Sequence, residues 1–309
     1  MNHATSLHDV HLNQPALVTI GVFDGVHIGH QHLVRQLVER ARVSGHLTVV
    51  LTFFPHPDAV LHDITGPYYL TTPEQRAEEL TRLGVDWVIT QTFDDQFRHM
   101  RAADYIETLC QHVAMRELWV GQHFALGYDR EGDIEFLRQE GARHGYTVHE
   151  VELVQGEDHS AVSSTRIRQL LQNGDVAEAG RLLGRLYTVE GEVVHGDQRG
   201  RTIGFPTANV QLWPEQVLPA FGVYAGFAAF NGETHPCVTN LGVRPTFDGK
   251  QLRVESHLLA FSGDIYGRTL KVSFMHRLRG EMRFPSIQDL IAQIAVDVEQ
   301  ARVLLDANR

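Results

Sequence analysis

The hydrophobic period changes once along the 309 residues, near Gly184, and that change constrains the fold more than any other feature. Before it, the apolar runs "ALVTIG", "LTVVLTFF", "VDWVIT", "ELWVG" and "TVHEVEL" read as strands. Between them "QHLVRQLVERARVSG", "TPEQRAEELTRLG", "AADYIETLCQHVA" and "DIEFLRQEGARHG" repeat their apolar residues at helical spacing. Thr72 and Pro73 supply an N-cap and a first helical residue, and Gly45 and Gly84 supply stops. Strand–helix alternation of this kind implies an α/β domain, a parallel sheet with helices on both faces. Two short helical patterns, "SSTRIRQLLQNG" and "DVAEAGRLLG", close this half.

After Gly184 the segments "LYTVEGEVVHG", "GVYAGFAAFN", "ETHPCVTNLG", "LRVESHLLAF" and "TLKVSFMHRLR" are strand-like, separated by Gly, Pro, Asn and Asp. No helical period returns until "SIQDLIAQIAVDVEQARVLL". The second half therefore reads as an antiparallel sheet or small β-barrel with one C-terminal helix. The expected division is 1–184 and 185–309.

Asp and Glu number 38 against 27 Lys and Arg, a formal charge of −11. Such a chain gains nothing from long-range attraction to nucleic acid, so any phosphate must be held locally by backbone N–H groups, a few Arg or His, and a divalent cation. Two distant cysteines, Cys110 and Cys237, give no disulfide framework and fit a reducing cytoplasm. No apolar run approaches the roughly 20 residues that span a bilayer, and the polar start "MNHATSLHDVHLNQ" does not read as a signal peptide. Self-association is left open.

"GVFDGVHIGH", Gly21 to His30, follows the first strand and enters the first helix. In an open parallel sheet this is where ligands bind; glycines admit a phosphate close to the backbone, and the helix N-terminus offers N–H donors. The spacing is neither G-x-G-x-x-G nor a Walker A loop. A metal-dependent hydrolase is one alternative, since His27, His30 and His32 cluster in sequence and "PHPD" adds His56 and Asp58.

The H-x-G-H turn resembles the signature of nucleotidylyltransferases of the adenylyltransferase type, and "VSSTRIR", Val162 to Arg168, resembles its Ser/Thr-rich partner. The resemblance implies ATP binding by Gly21, Phe23, Asp24, Gly25, Gly29, Ser163, Ser164, Thr165 and Arg168, with His27 and His30 in catalysis. In the second half, "GDQRGRTIGFPTANV" resembles the nucleotide-binding segment of riboflavin kinases. That likeness implies nucleotide contacts from Gly204, Pro206, Thr207 and Asn209, Mg²⁺ held by Thr207 and Asn209, a catalytic Glu255, and flavin contacts from Arg244.

Together, from about Leu17 to Arg302, the chain resembles the bifunctional prokaryotic riboflavin kinase/FAD synthetase family. The family implies ATP-dependent phosphorylation of riboflavin to FMN, then adenylylation of FMN to FAD with release of pyrophosphate. One segment departs from the family pattern: "GQHFALG", Gly121 to Gly127, carries Gln122, His123 and Leu126 where the family has an acidic–amide or acidic pair and Phe, leaving His123 as the flavin-contact candidate. That departure keeps a non-enzymatic flavin sensor as an alternative. An OB-like nucleic-acid module is the other, opposed by the acidic charge.

Overall fold

The computed structural model describes residues 2–152, 161–196, 200, 203–246 and 249–307, with the backbone alone described for 244–246 and 249–251. It divides into two compact units, Met1–Ser164 and Thr165–Arg309.

The first unit holds a six-stranded sheet: β1 (Asn2–Ala4), β2 (Ala16–Ile20), β3 (Leu47–Phe54), β4 (Trp87–Thr92), β5 (Met115–Gly121) and β6 (Thr147–Val151). Every adjacent pair is parallel, in the order β1-β4-β3-β2-β5-β6. The strand–helix alternation thus has the expected outcome, since parallel neighbours require a crossover between them. The helices include α1 (Ile28–Ser44), α2 (Pro57–Leu61), α3 (Pro73–Arg82), α4 (Asp95–Arg98), α5 (Ala102–Val113) and α6 (Ile134–His144).

Successive residues of the central strands face opposite layers. Val18, Ile20, Val49, Leu51 and Ile89 pack with Tyr105, Ile106 and Leu109 of α5. Val50 and Val88 pack with Val34 and Val38 of α1 and Ala77 and Leu80 of α3. Fully burying one such aliphatic side chain contributes about 1.5–3 kcal/mol, so both faces of each strand stabilise the sheet. Thr72 caps α3 through Gln75 in a reciprocal capping box, and Gly45 ends α1 in the left-handed region.

The second unit begins with α7, which runs Ser164–Asn173 across the division, and α8 (Val176–Leu183). A closed barrel follows: β7 (Tyr187–Val194), β8 (Ala208–Leu212), β9 (Gly222–Phe230), β10 (Glu233–Thr246), β11 (Gly249–Leu258) and β12 (Thr269–Arg279), ordered β10-β11-β8-β7-β12-β9. All six pairings are antiparallel. Closure leaves no edge open to other chains. The C-terminal helix α9 (Ile287–Asp306) starts at the Ser286 cap and buries Val298, Ala301 and Leu305 against Val223 and Ala225 of β9 and Val238 of β10.

Candidate active sites

In the first sheet the chain leaves β2 for β3 on one side and reaches β5 on the other. The carboxyl end of β2 is therefore the switch point, where parallel sheets take ligands. The sequence 21–27 turns there into α1. Phe23 (φ 52°) and Val26 (φ 42°) both adopt left-handed backbone, which costs about 1–3 kcal/mol each in a side-chain-bearing residue and persists only where the surroundings enforce it.

Buried polar contacts supply that enforcement. Asp24 is 1% exposed, and its carboxylate accepts N–H bonds from Leu70 (3.0 Å) and Thr71 (3.2 Å) and the Thr71 hydroxyl (3.3 Å). Gly25 N–H donates to Thr71 Oγ1 at 3.2 Å, Thr52 Oγ1 donates to Val22 O at 2.7 Å, and Ser164 Oγ donates to Asp24 O at 2.8 Å. Arg76 is fully buried; its Nη1 donates to Thr52 Oγ1 and Phe53 O, both at 2.9 Å, and its Nη2 lies 3.9 Å from Asp24 Oδ1.

His27 is the N-cap of α1, its Nδ1 accepting the His30 N–H at 3.3 Å. A ring nitrogen that accepts leaves the proton on the other, so His27 is the Nε2–H tautomer. The two imidazoles stack, centroids 3.7 Å apart. Gly29 permits this packing: a Cβ there would sit 3.2 Å from His27 Cε1 and Nδ1. Burial first, then His27 and Arg76, hold the His30 pKa well below its ordinary 6.5. His30 is therefore neutral at pH 7. Two imidazole rings at a helix N-terminus can meet a phosphate through N–H groups.

The departing segment Gly121–Gly127 leaves β5 beside β2. Gln122 and His123 are exposed, with His123 at φ 62° and its carbonyl accepting from Arg130 Nη2 at 2.9 Å. Leu126 instead turns into the core beside Phe124. Of the other expected residues, Gly21 is half-buried, Ser163 lies beside Ser164, and Thr165 (exposed) and Arg168 (buried) follow on α7 in the second unit. His56 caps α2 and His32 bonds to Gln36. Among the described residues no three His, Cys, Asp or Glu could hold a metal, so the histidines of the hydrolase alternative do not converge.

In the barrel, Glu255 on β11 lies opposite Asn209 on β8. A cavity of about 360 Å³ opens there, lined by Phe205, Thr207, Asn209, Glu255, Phe284 and Ile294 among others. A second of about 520 Å³, lined by Pro206, Ala208, Phe261 and Tyr266, shares Thr207 with it. Arg253 Nη1 donates to Glu255 Oε1 at 3.0 Å, orienting the carboxylate. His257 bonds Pro206 O at 2.7 Å, tying "PTAN" to β11. Arg253, Glu255 and His257 stand two apart, on one face of the strand. Gly204 and Pro206 are exposed. Arg244 is on β10 opposite Gln251, but its side chain lies outside the described residues, as do 197–199 and 201–202 of the second motif.

The Thr207 hydroxyl and the Asn209 amide are hard oxygen donors beside the Glu255 carboxylate, which suits Mg²⁺. A Cβ on Gly196 would collide with the Asn209 amide, so glycine there leaves room for that donor group.

Comparison with known proteins agrees with both halves. Residues 9–166 match the FAD synthetase family model and residues 183–305 the riboflavin kinase model. The bifunctional riboflavin kinase/FMN adenylyltransferase of Pseudomonas fluorescens is 41% identical over 291 residues, covering 93% of this chain and 92% of that one. The protein of the same name from Listeria monocytogenes is 36% identical over 290 residues, covering 93% and 91%. A solved structure described as a macrolide-efflux protein from Streptococcus pneumoniae matches with a TM-score of 0.87 at 33% identity, covering 97% of this chain and 98% of that one. That description concerns the other protein; among the described residues here, no helix is long and apolar enough to cross a membrane. With two family models matched in chain order and full-length relatives at this identity, the chain belongs to the bifunctional riboflavin kinase/FMN adenylyltransferase family.

Proposed function

We propose that the chain converts riboflavin to FMN with ATP and then FMN to FAD with a second ATP, releasing pyrophosphate. The observation that supports this most is the match to both families in order over almost the whole chain. The first unit performs adenylylation and the barrel performs phosphorylation.

In the barrel, the 360 Å³ cavity is of ligand size and takes the flavin, and the neighbouring cavity takes ATP. Their common wall, Thr207, is where the two substrates meet. Glu255 accepts the proton of the riboflavin hydroxyl as that oxygen attacks the γ-phosphorus, and ADP leaves. Thr207 and Asn209 would hold Mg²⁺, which when bound would supply neutralising charge at the phosphates. Two protein oxygens, rather than a full cage, are what Mg²⁺ ordinarily uses beside a nucleotide.

In the first unit the nucleophile is an FMN phosphate oxygen, ionised at neutral pH, so no general base is needed. The site must align the FMN phosphate with the α-phosphorus of ATP and stabilise charge on its oxygens. His27 and His30 donate to those oxygens, with the α1 N-terminus behind them. Asp24 faces the 70–71 backbone and acts by holding the turn. Ser163 and Ser164 contact the outer phosphates and His123 contacts the flavin; Thr165 and Arg168 follow on α7, and Arg244, whose side chain lies outside the described residues, belongs to the barrel. The free thiols of Cys110 and Cys237 fit a reducing cytoplasm.

The test is a time course with riboflavin, ATP and Mg²⁺, resolved by chromatography. FMN should rise first and FAD follow. FMN without FAD would remove adenylylation, and bound but unconverted flavin would favour the sensor, a reading that only the exposed Gln122–His123 departure supports.

A further inference from the structure

Resting on the adenylylation reading, we propose that Arg76 is a positioning residue for adenylyl transfer: from α3 it clamps the turn 22–27 that presents His27 and His30. Residues 70–76 hold that turn twice. The Leu70 and Thr71 N–H groups and the Thr71 hydroxyl bind the Asp24 carboxylate. One helical turn beyond the Thr72 cap, Arg76 faces the same carboxylate at 3.9 Å and reaches the end of β3 through Phe53 O and Thr52 Oγ1. Thr52 passes the contact on to Val22 O. Strand end, turn and helix start are thus joined through one buried guanidinium.

Stability alone is a weak reason for such a group. A buried ion pair is often replaceable by apolar residues without loss, because desolvation offsets the attraction. What the pair supplies is a fixed geometry for Phe23 and Val26, two side-chain-bearing residues that are left-handed in a turn ending at a catalytic imidazole. A displacement of about 1 Å of catalytic groups costs on the order of 10²-fold in rate. Arg76 also bears on charge. The charged or titratable groups acting on the His30 ring are His27 at the α1 cap and Arg76 from α3, whose guanidinium lies 3.9 Å from Asp24. Removing the Arg76 charge relieves one of the influences that keep His30 neutral.

The experiment uses the full chain carrying Arg76→Met or Arg76→Lys. It measures kcat and KM for FMN-to-FAD conversion from pH 5 to 9, alongside riboflavin phosphorylation and thermal melting. Arg76→Met should lower kcat about 10²-fold, leave KM for FMN and ATP close to wild type, and move the acid limb to higher pH. Arg76→Lys keeps the charge and loses the fork, so kcat should fall while the acid limb stays. Riboflavin phosphorylation should be unchanged in both. If the first unit of Arg76→Met does not fold, Thr52→Val carries the test, since it deletes only the hydroxyl between Arg76 and Val22; it should lower kcat about 10-fold on the same alignment argument. Folded variants with wild-type kcat at every pH, differing only in melting temperature, overturn the positioning role. A wild-type chain that makes no FAD overturns the adenylylation reading and this inference with it.

Discussion

His30 stacks on His27 and sits against Phe23, 5.0 Å between centroids, so an alanine there removes a packing partner together with the phosphate donor proposed above. His30→Ala should lower FAD formation by about 10²–10³-fold, the usual cost of losing one transition-state donor, with FMN formation intact; chromatography of both products checks it. Because burial, His27 and Arg76 hold the His30 pKa well below 6.5, the ring does not titrate between pH 6.5 and 8. A pH-dependent loss of FAD formation confined to that range in an otherwise active chain would contradict a neutral His30. Glu255→Ala is the converse. It removes the proposed base and leaves Arg253 facing the cavity, so FMN formation should be lost while added FMN still becomes FAD.

The element on which the barrel cavity depends is α9. Asp297, 2% exposed, accepts from Arg279 Nε at 3.0 Å and Nη2 at 2.8 Å, and from Gln293 Nε2 at 2.9 Å. This joins the C-terminal helix to β12 across the cavity wall. Asp297→Ala leaves the guanidinium without its charge partner and should destabilise the barrel by about 3–5 kcal/mol. The same change should raise KM for riboflavin, because α9 supplies Leu290 and Ile294 to the lining; denaturant melts and kinetics read the two effects. The helix itself was legible as a helical period opened by Ser286, but its partner on β12 was not, since nothing in the spacing of Arg279 and Asp297 joins a strand to a helix. Strand β8 was also missed. It begins inside "PTAN", where Pro, Thr and Asn read as loop chemistry, and only pairing with β7 and β11 makes Ala208–Leu212 extended. Arg253 could have been found: two residues before Glu255 on a strand means the same face.

Across the whole molecule, the parallel sheet and the barrel were legible because each is written in a local period. The turn at β2 was legible because glycine and histidine spacing is local chemistry as well. Arg76 was hidden for the opposite reason: it is an ordinary charged residue in a helical pattern, and its role comes from burial beside Asp24, 52 residues earlier, a distance in sequence that no local pattern spans. The two units each close a core of their own, with His27 and His30 in the first and Glu255 in the second. FMN made by one chain should therefore serve the adenylylation site of another. Mixing His30→Ala with Glu255→Ala tests this: the first variant makes FMN and stops, and the second adenylylates FMN but makes none. From riboflavin, ATP and Mg²⁺ the mixture should yield FAD after a lag, and doubling the Glu255→Ala chain should speed FAD formation without changing the initial rate of FMN appearance. If the mixture makes FMN but no FAD, while each variant alone performs its own step, FMN is consumed only by the chain that made it, and the two units act as one catalyst.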